Sequence, residues 1–399
     1  MQVRELRKAG HLPSLVAALV HFDVSFMAWV MLGALGAFIG EDLGLSASQK
    51  GVMVAVPLLS AAFFRIVLGV LGDRFGPKRV GTVSMAVVLA PLAVGWLVAD
   101  SLGTVLCVGL LLGVAGASFA ISLPLASRWY PAPLQGLAMG IAGAGNSGTV
   151  LTTLLAPRLA ESYGWNAVFG MAMVPVALAL VVFVALAKEP PRAPRAASLG
   201  ALRELLGESD AWRLCGLYAM TFGGFVGLAS FLPIFLHDQY GLAKVDAATV
   251  AAAGGALGSF VRPLGGYLAD RGGGTRVLVG VYGLAAALLL FASGLPAVGA
   301  AGVAFICTMG TLGLGNGAVF QLVGLRYRPR IGTVTGLVGA AGGIGGFLLP
   351  TVLGTLRDLT GSYGTGLALI AAAAGAALVG TLLIRGAWRA NPALAEVPV

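Results

Sequence analysis

Apolar stretches of about twenty residues recur along the whole chain, and this repetition constrains the fold more than any other feature of the sequence. Each stretch is long enough, as a helix, to cross the roughly 30 Å hydrocarbon layer of a lipid bilayer. The stretches are rich in Ala, Leu and Gly and lack sustained alternation of apolar with polar residues, which argues against β-strands. Only 10% of the 399 residues are charged, whereas a soluble domain carries about a quarter. The pattern therefore predicts an all-α protein embedded in the lipid bilayer.

The apolar stretches number twelve and predict twelve transmembrane helices. The sequence EPPRAPRAAS, rich in proline and arginine, separates the sixth stretch from the seventh and is typical of a linker. We therefore predict an N-terminal six-helix bundle at 1–187, a cytoplasmic linker at 188–211 and a C-terminal six-helix bundle at 212–399. The predicted spans are 12–39, 49–71, 80–99, 103–127, 136–157, 166–187, 212–236, 246–269, 276–294, 298–325, 333–356 and 364–385.

The distribution of basic residues predicts the orientation of these helices. Of the 25 Lys and Arg residues, 19 fall in the termini and even-numbered loops and four in odd-numbered loops. Because loops rich in Lys and Arg remain on the cytoplasmic side, we expect both termini to be cytoplasmic in a multi-pass protein of the cell (inner) membrane. Loop topology then explains the formal charge of +9, and nucleic acid is not expected as a partner.

The two remaining cations, Arg65 and Arg262, lie inside predicted helices and belong to an internal repeat. The segment RIVLGVLGDR, which begins at Arg65, aligns with RPLGGYLADR, which begins at Arg262, at an offset of 197. Because each half holds six spans, the two halves are related repeats in parallel topology. The intramembrane arginines are therefore symmetry mates, one from helix 2 and one from helix 8.

A charge at the centre of a bilayer costs at least about 2.5–3.5 kcal/mol, so each buried arginine requires compensation. Of the 16 Asp and Glu residues, only Asp23 lies well inside a predicted span. One acid cannot neutralise both Arg65 and Arg262, and we predict that they bind an anion rather than only structural partners. The planar guanidinium suits nitrate, nitrite or a carboxylate, and also phosphate.

Other chemistries find little support in the sequence. The three cysteines all fall inside apolar segments, where packing is the expected role, and they predict neither a disulfide nor a metal framework. The sequence GAGNSG at 143–148 fits G-x-G-x-x-G, but no strand precedes it and no β–α unit contains it. We expect no cofactor, no metal and no catalytic activity.

Two sets of motifs resemble those of known transporters. The loop sequence GVLGDRFGPKR at 69–79 resembles the helix 2–3 signature of the major facilitator superfamily. The glycine-rich GLAMGIAGAGNSGTVLTTLLAP at 136–157 and GTVTGLVGAAGGIGGFLLP at 332–350 resemble the paired nitrate signatures of the nitrate/nitrite porter family within that superfamily. Gly315-Asn316-Gly317 in helix 10 and YAMTFGGF at 218–225 in helix 7 add to this resemblance.

The resemblance implies the major facilitator fold, in which two pseudo-symmetric six-helix bundles rock about a central site. It implies secondary active transport of nitrate and/or nitrite, with an anion held by arginines, further polar side chains and flanking rings. Taken from the residues alone, Asn146 remains open as a packing amide, Tyr218 as an interfacial anchor and the phenylalanines as core residues. The implied substrate contacts are Arg65, Arg262, Asn146, Tyr218, Phe119, Phe222 and Phe26.

A second group of residues is expected to have gating or structural roles. The resemblance implies that acidic and basic residues of the 2–3 loop and of its repeat clamp the cytoplasmic ends of helices. Small residues, mostly glycine, in helices 5 and 11 allow neighbouring helix backbones to approach closely. The residues of these two sets are Asp73, Arg74, Asp270, Arg271, Gly143, Gly145, Gly148, Gly339, Gly342 and Gly343.

The coupling mode is left open by the sequence. A facing pair of arginines that closes only around an anion favours antiport of nitrate against nitrite, whereas Asp23 as a proton carrier would make a nitrate/proton symporter. We expect a monomer. The alternatives are an exchanger of another small anion, such as a carboxylate or organophosphate, and, in a different class, a membrane-embedded sensor or enzyme.

Overall fold

A computed structural model describes residues 9–190, 199–327 and 331–389, so part of the predicted linker, 191–198, lies outside the described residues. Within the described ranges all regular structure is helical. Among the described residues, ten helices are long and apolar enough to cross a membrane. The remaining two predicted spans, the fifth and the eighth, are also helical, but each is interrupted and consists of shorter segments.

The N-terminal half, residues 9–190, holds six spans, which we number α1 to α6. Three of them are interrupted: α1 near its outer end, α4 before Phe119 and α5 around Asn146. The bounds are α1 (Leu12–Trp29, Met31–Ala34 and Gly36–Asp42), α2 (Ala47–Phe75), α3 (Pro77–Leu97), α4 (Leu102–Gly116 and Phe119–Ser127), α5 (Ala132–Gly143, a 3₁₀ turn Ala144–Asn146, and Ser147–Tyr163) and α6 (Trp165–Leu186).

The C-terminal half, residues 199–389, begins with a short helix, Leu199–Leu206, that precedes its six spans. Helix α7 contains a π-helical turn, and α8 is interrupted at Val261. The bounds are α7 (Ser209–Tyr218, the π turn Ala219–Gly223, and Gly224–Tyr240), α8 (Lys244–Phe260 and Arg262–Gly272), α9 (Gly274–Ser293), α10 (Val298–Arg326), α11 (Ile331–Thr360) and α12 (Tyr363–Arg389).

The two halves pack chiefly along two pairs of helices, α2 with α11 and α5 with α8. Glycine makes the first of these approaches possible. A Cβ atom on Gly343 of α11 would lie 2.8 Å from the Cβ of Ala62 and 3.0 Å from the carbonyl oxygen of Leu58, both on α2. A β-carbon there would force the helices apart. Glycine allows the two membrane helices to pack closely.

Polar contacts join the halves at the outer side, defined here as the side opposite the first residue of α1. Lys50 of α2 forms an ion pair with Asp238 of α7 at 2.8 Å. Asp358 of α11 accepts hydrogen bonds from the backbone N–H groups of Ala47 (3.1 Å) and Ser48 (2.9 Å) at the start of α2. The carboxylate thereby satisfies two of the N–H groups that a helix start leaves unpaired.

The inner side has no equivalent connection in the described part of the chain. Its ion pairs stay within one half: Asp73 with Arg128 in the N-terminal half, and Asp210 with Arg213 and Arg326 in the C-terminal half. The structure is therefore closed between the halves at the outer side.

Candidate functional site

Arg65 lies in the middle of α2 with 3% of its surface exposed. Its Nε donates a hydrogen bond to the Gly116 carbonyl oxygen at 3.2 Å, and its Nη1 donates to the Gly339 carbonyl oxygen at 2.6 Å. The first acceptor is available because α4 is interrupted there: the N–H of Ala120 donates to Ala117 instead of continuing the helix to Gly116. The guanidinium thus contacts both halves through backbone carbonyls.

Arg262 is the first residue of the second segment of α8, after the interruption at Val261. Pro263 follows it, and a proline lacks the N–H that would continue the helix ladder. The Nε and Nη2 atoms of Arg262 are buried, and neither has a hydrogen-bond partner among the described residues. Unpaired buried donors are costly, and these two nitrogen atoms remain unsatisfied among the described residues.

The fold brings the two arginines together around one ring. The Cζ of Arg65 lies 5.2 Å from the centroid of the Phe222 ring and that of Arg262 lies 5.8 Å from it. Because both distances are measured to the same centroid, the Cζ atoms of Arg65 and Arg262 are at most 11.0 Å apart, the sum of 5.2 Å and 5.8 Å. No carboxylate of the described residues forms an ion pair with either arginine. Two positive charges therefore share a buried site to which the described residues supply no counter-charge.

Aromatic rings line this site from both halves. Tyr218 stacks on Phe222 with ring centroids 5.1 Å apart and an interplanar angle of 6°. Phe119 of α4 lies 6.0 Å from the Cζ of Arg65. Rings at such distances attract a cation through their negative faces. The π-helical turn of α7 begins directly after Tyr218 and contains Phe222, and such turns occur frequently at functional sites.

Two further aromatic residues belong to the site and were missed by the sequence analysis. Trp29 lies 5.5 Å from the Cζ of Arg65 and donates from its indole nitrogen to Pro57 at 2.9 Å. Phe320 of α10 contacts the Tyr218 ring at 5.0 Å and the Phe119 ring of the other half at 6.3 Å. No motif marks either residue, because an aromatic ring in an apolar helix is usually a core residue.

Phe26 reaches the site through its contact with Trp29. Its ring contacts Trp29 at 4.7 Å and Phe22 at 4.3 Å, and it is buried. No cation–ring contact of the described residues links Phe26 to Arg65 or Arg262. Phe26 therefore packs against the ring of Trp29, which in turn contacts Arg65.

Asn146 is buried at the end of the 3₁₀ turn of α5, where this helix packs on α1. Among the described residues, no hydrogen bond joins its side chain to either arginine. The neighbouring Ser147 donates from its hydroxyl to Asp23 Oδ1 at 2.6 Å. A Cβ on Gly145 would lie 2.8 Å from the backbone nitrogen of Asp23, and one on Gly148 would collide with the Asp23 carbonyl. Asp23 therefore lies at the α1–α5 contact.

The predicted glycines of α11 divide by what they contact. A Cβ on Gly342 would lie 2.7 Å from Tyr218 Cδ1 and 2.9 Å from Phe222 Cδ1, so this glycine makes room for the stacked rings. One on Gly339 would lie 3.8 Å from Arg65 Cδ, an ordinary contact distance. On α5, by contrast, a Cβ on Gly143 would meet nothing within 4 Å. Close packing does not require glycine at that position in this conformation.

The charged residues of the predicted clamp are not equivalent in the two halves. Asp73 pairs with Arg128 at the inner end of α4, as described above. Its repeat, Asp270, is exposed, and no ion pair of the described residues includes it. Arg74 and Arg271 are also exposed, and the Cζ of each lies over a ring of its own helix, Phe75 at 5.2 Å and Tyr267 at 4.4 Å respectively.

The second half replaces the missing pair with a different one. Arg326, at the inner end of α10, occupies the place that Arg128 has at the end of α4. Its partner is Asp210, in the first turn of α7, which also accepts a hydrogen bond from Trp388 Nε1 at 2.9 Å. Both halves thus have an arginine at this position, but its acidic partner is on α2 in the first half and on α7 in the second.

Comparison with known proteins identifies this architecture. The profile of the Major Facilitator Superfamily matches residues 17–350. A protein named probable nitrate/nitrite transporter NarK2 of Mycobacterium tuberculosis is 36% identical over 376 residues, which cover 92% of this chain and 94% of that protein. The chain belongs to the nitrate/nitrite porter family of the Major Facilitator Superfamily. A nitrite extrusion protein of Bacillus subtilis is 34% identical over 347 residues, 86% of each chain.

A further relative agrees with this family, and a solved structure agrees with the fold. A probable nitrate/nitrite antiporter, NarK1, of Thermus thermophilus is 30% identical over 85% of this chain and 84% of its own. A bacterial homologue of the human lysosomal transporter Spinster, solved in an inward-facing and occupied conformation, superposes with a TM-score of 0.68 at 19% identity. That match covers 93% of this chain and 94% of the other, and it shows the fold. The chain is thus a multi-pass membrane transporter with the major facilitator fold.

Proposed function

We propose that this porter moves nitrate and nitrite across the cell membrane by alternating access, with the anion bound between Arg65 and Arg262. The observation that supports this most strongly is the buried arginine pair around Phe222, to which the described residues supply no counter-charge. Relatives named as nitrate and nitrite transporters, 30–36% identical over most of the chain, indicate the anion.

The transport cycle follows from the charges and from the closed outer side. In this conformation the anion enters and leaves from the inner side. We expect this side to be cytoplasmic, with both termini there, in a monomer whose two six-helix bundles, 1–187 and 212–399, rock about the site. A bound anion screens the two guanidinium groups and lets the inner ends approach. Without an anion the arginines repel each other, so closure around an empty site is unfavourable.

Obligatory exchange is the consequence. A porter that closes only around an anion cannot return empty, so nitrate moving one way is exchanged for nitrite moving the other way. Asp23 is the residue that offers an alternative, because protons could accompany the anion if this acid titrates during the cycle. Its hydrogen bond from Ser147 at the α1–α5 contact supports a structural role, and we therefore favour antiport.

Counterflow in liposomes tests the proposal. Vesicles containing the purified protein and loaded with nitrite are diluted into labelled nitrate, with and without an imposed proton gradient. We expect uptake that requires internal anion and that is indifferent to the gradient, in the wild type and in Asp23→Asn alike. Uptake into anion-free vesicles driven by the gradient, and lost in Asp23→Asn, would replace antiport by proton symport. If phosphate or a small carboxylate is exchanged and nitrate is not, the substrate assignment fails.

A further inference from the structure

The two arginines of the proposed site differ in how much of each guanidinium is already used. Arg65 donates from Nε to Gly116 and from Nη1 to Gly339. In Arg262 the Nε and Nη2 atoms are buried and have no partner among the described residues. The symmetry mates of the repeat are therefore chemically unequal in the site that they share.

The free atoms of Arg262 form one edge of its guanidinium. Nε–H and one N–H of Nη2 point in parallel, in the geometry that receives two oxygens of a planar oxyanion. On Arg65 the same edge is half occupied, because its Nε is bonded to Gly116. From that edge Arg65 retains only Nη2 for a ligand. Through this edge a planar anion can thus make two parallel hydrogen bonds to Arg262, whereas the same edge of Arg65 offers it only one.

We propose, building on the function proposed above, that Arg262 is the selectivity residue of the site and that Arg65 has a different task. The two-donor edge of Arg262 distinguishes an anion with two oxygens, such as nitrate or nitrite, from a halide. A chloride ion is a single acceptor centre, so both donors must bend toward it, whereas two oxygens each meet one donor in line. Arg65 adds positive charge but lacks a free pair of donors on the corresponding edge.

The second task of Arg65 follows from its bond to Gly339. This bond connects α2 of the N-terminal half to α11 of the C-terminal half at the level of the site. A conformational change that moves the halves past each other must stretch or exchange it. Arg65 therefore links the presence of the anion to the position of α11, and its replacement should affect transport more than binding.

Binding and transport measured on the same variants test this division. Nitrate and chloride are each titrated into the purified protein by calorimetry, for wild type, Arg262→Lys and Arg65→Lys, with the exposed Arg276→Lys as a control. Arg262→Lys keeps the charge but loses the paired donors. We expect its nitrate affinity to fall at least about tenfold, as for one lost hydrogen bond to a charged group, and its nitrate-over-chloride ratio to approach one.

Arg65→Lys should keep the preference for nitrate over chloride but lose transport. We expect its nitrate-over-chloride ratio to stay within about threefold of wild type, while counterflow falls by more than about tenfold. If Arg65→Lys loses the anion preference as Arg262→Lys does, the inference is wrong. Arg65→Lys alone tests the proposed difference between the two arginines, even if Arg262→Lys does not fold. A wild-type protein that binds neither nitrate nor nitrite would instead contradict the proposed function itself.

Discussion

The Nη1 atom of Arg65 donates a hydrogen bond to the carbonyl oxygen of Gly339 at 2.6 Å, and this bond crosses from one half of the protein to the other at the level of the buried arginine pair. The contact places a fixed positive charge against the backbone of α11. The requirement for a small residue on this helix comes from a different position, Gly342, where a Cβ would lie 2.7 Å from Tyr218 Cδ1 on α7.

Gly342→Ala should abolish or strongly reduce transport. The added Cβ would lie 2.7 Å from Tyr218 Cδ1 and 2.9 Å from Phe222 Cδ1, so the stacked rings must shift within the site. Gly336→Ala on the same helix is the matched control, since a Cβ there meets nothing within 4 Å. We expect counterflow near the wild-type rate in the control and a loss of more than about tenfold in Gly342→Ala, the factor that 1.4 kcal/mol represents. Equal activity of the two variants would show that the ring positions are not critical.

Phe320→Ala should slow transport although no motif marks this residue. Its ring contacts Tyr218 of its own half and Phe119 of the other, so its loss should lower the maximal rate. Truncation of a fully buried phenylalanine costs about 3–5 kcal/mol of folding stability. Phe320 is half-buried, so we expect a smaller loss of stability. Phe291→Ala, at a ring that is 52% exposed on α9, is the control and should behave as wild type in the same counterflow assay.

Asp238→Asn should open the outer side. The substitution removes the ion pair with Lys50 at 2.8 Å and weakens the hydrogen bond from the Tyr363 hydroxyl at 3.2 Å. Loss of a charged hydrogen bond that is mostly buried favours the open state by about 1–3 kcal/mol. Spin labels at the outer ends of α2 and α7 should report a larger population of long distances. Asp246→Asn, at an exposed acid in the first turn of α8, should leave the distance distribution unchanged.

Asp73→Asn should destabilise the protein and Asp270→Asn should not. Asp73 pairs with Arg128 in a setting where the two side chains are 14% and 22% exposed, whereas Asp270 is exposed and has no ion pair among the described residues. Thermal unfolding in detergent should show a loss of about 1–3 kcal/mol for Asp73→Asn and a change within about 0.5 kcal/mol for Asp270→Asn. Equal effects would mean that the two repeats use their acids alike after all.

The membrane helices were predictable because a chain in lipid must satisfy its own backbone hydrogen bonds, which leaves few solutions for a long apolar stretch. The interruptions of these helices were less predictable. Pro263 marks the break in α8 in the sequence itself. The 3₁₀ turn at Asn146 and the π turn that contains Phe222 depend on packing between distant helices, which no local pattern records.

The two buried arginines were predictable because a charged side chain is conspicuous in an apolar stretch. Its partners were not. Gly116 and Gly339 accept hydrogen bonds through backbone carbonyls, and every residue has a carbonyl. Trp29 and Phe320 contribute rings to the site, but an apolar helix contains many such rings. The sequence therefore indicated which charges are buried, and the structure was needed to find what surrounds them.

The most direct test of the account is a density map of the purified protein in the presence of nitrate. We predict one anion between the two guanidinium groups, within about 3 Å of Arg262 Nε and Nη2, with Arg65 as its second contact and no carboxylate of the protein beside it. A map in which the nitrate lies elsewhere, or in which a protein carboxylate fills the space between the arginines, would contradict the claim that the transported anion is their counter-charge.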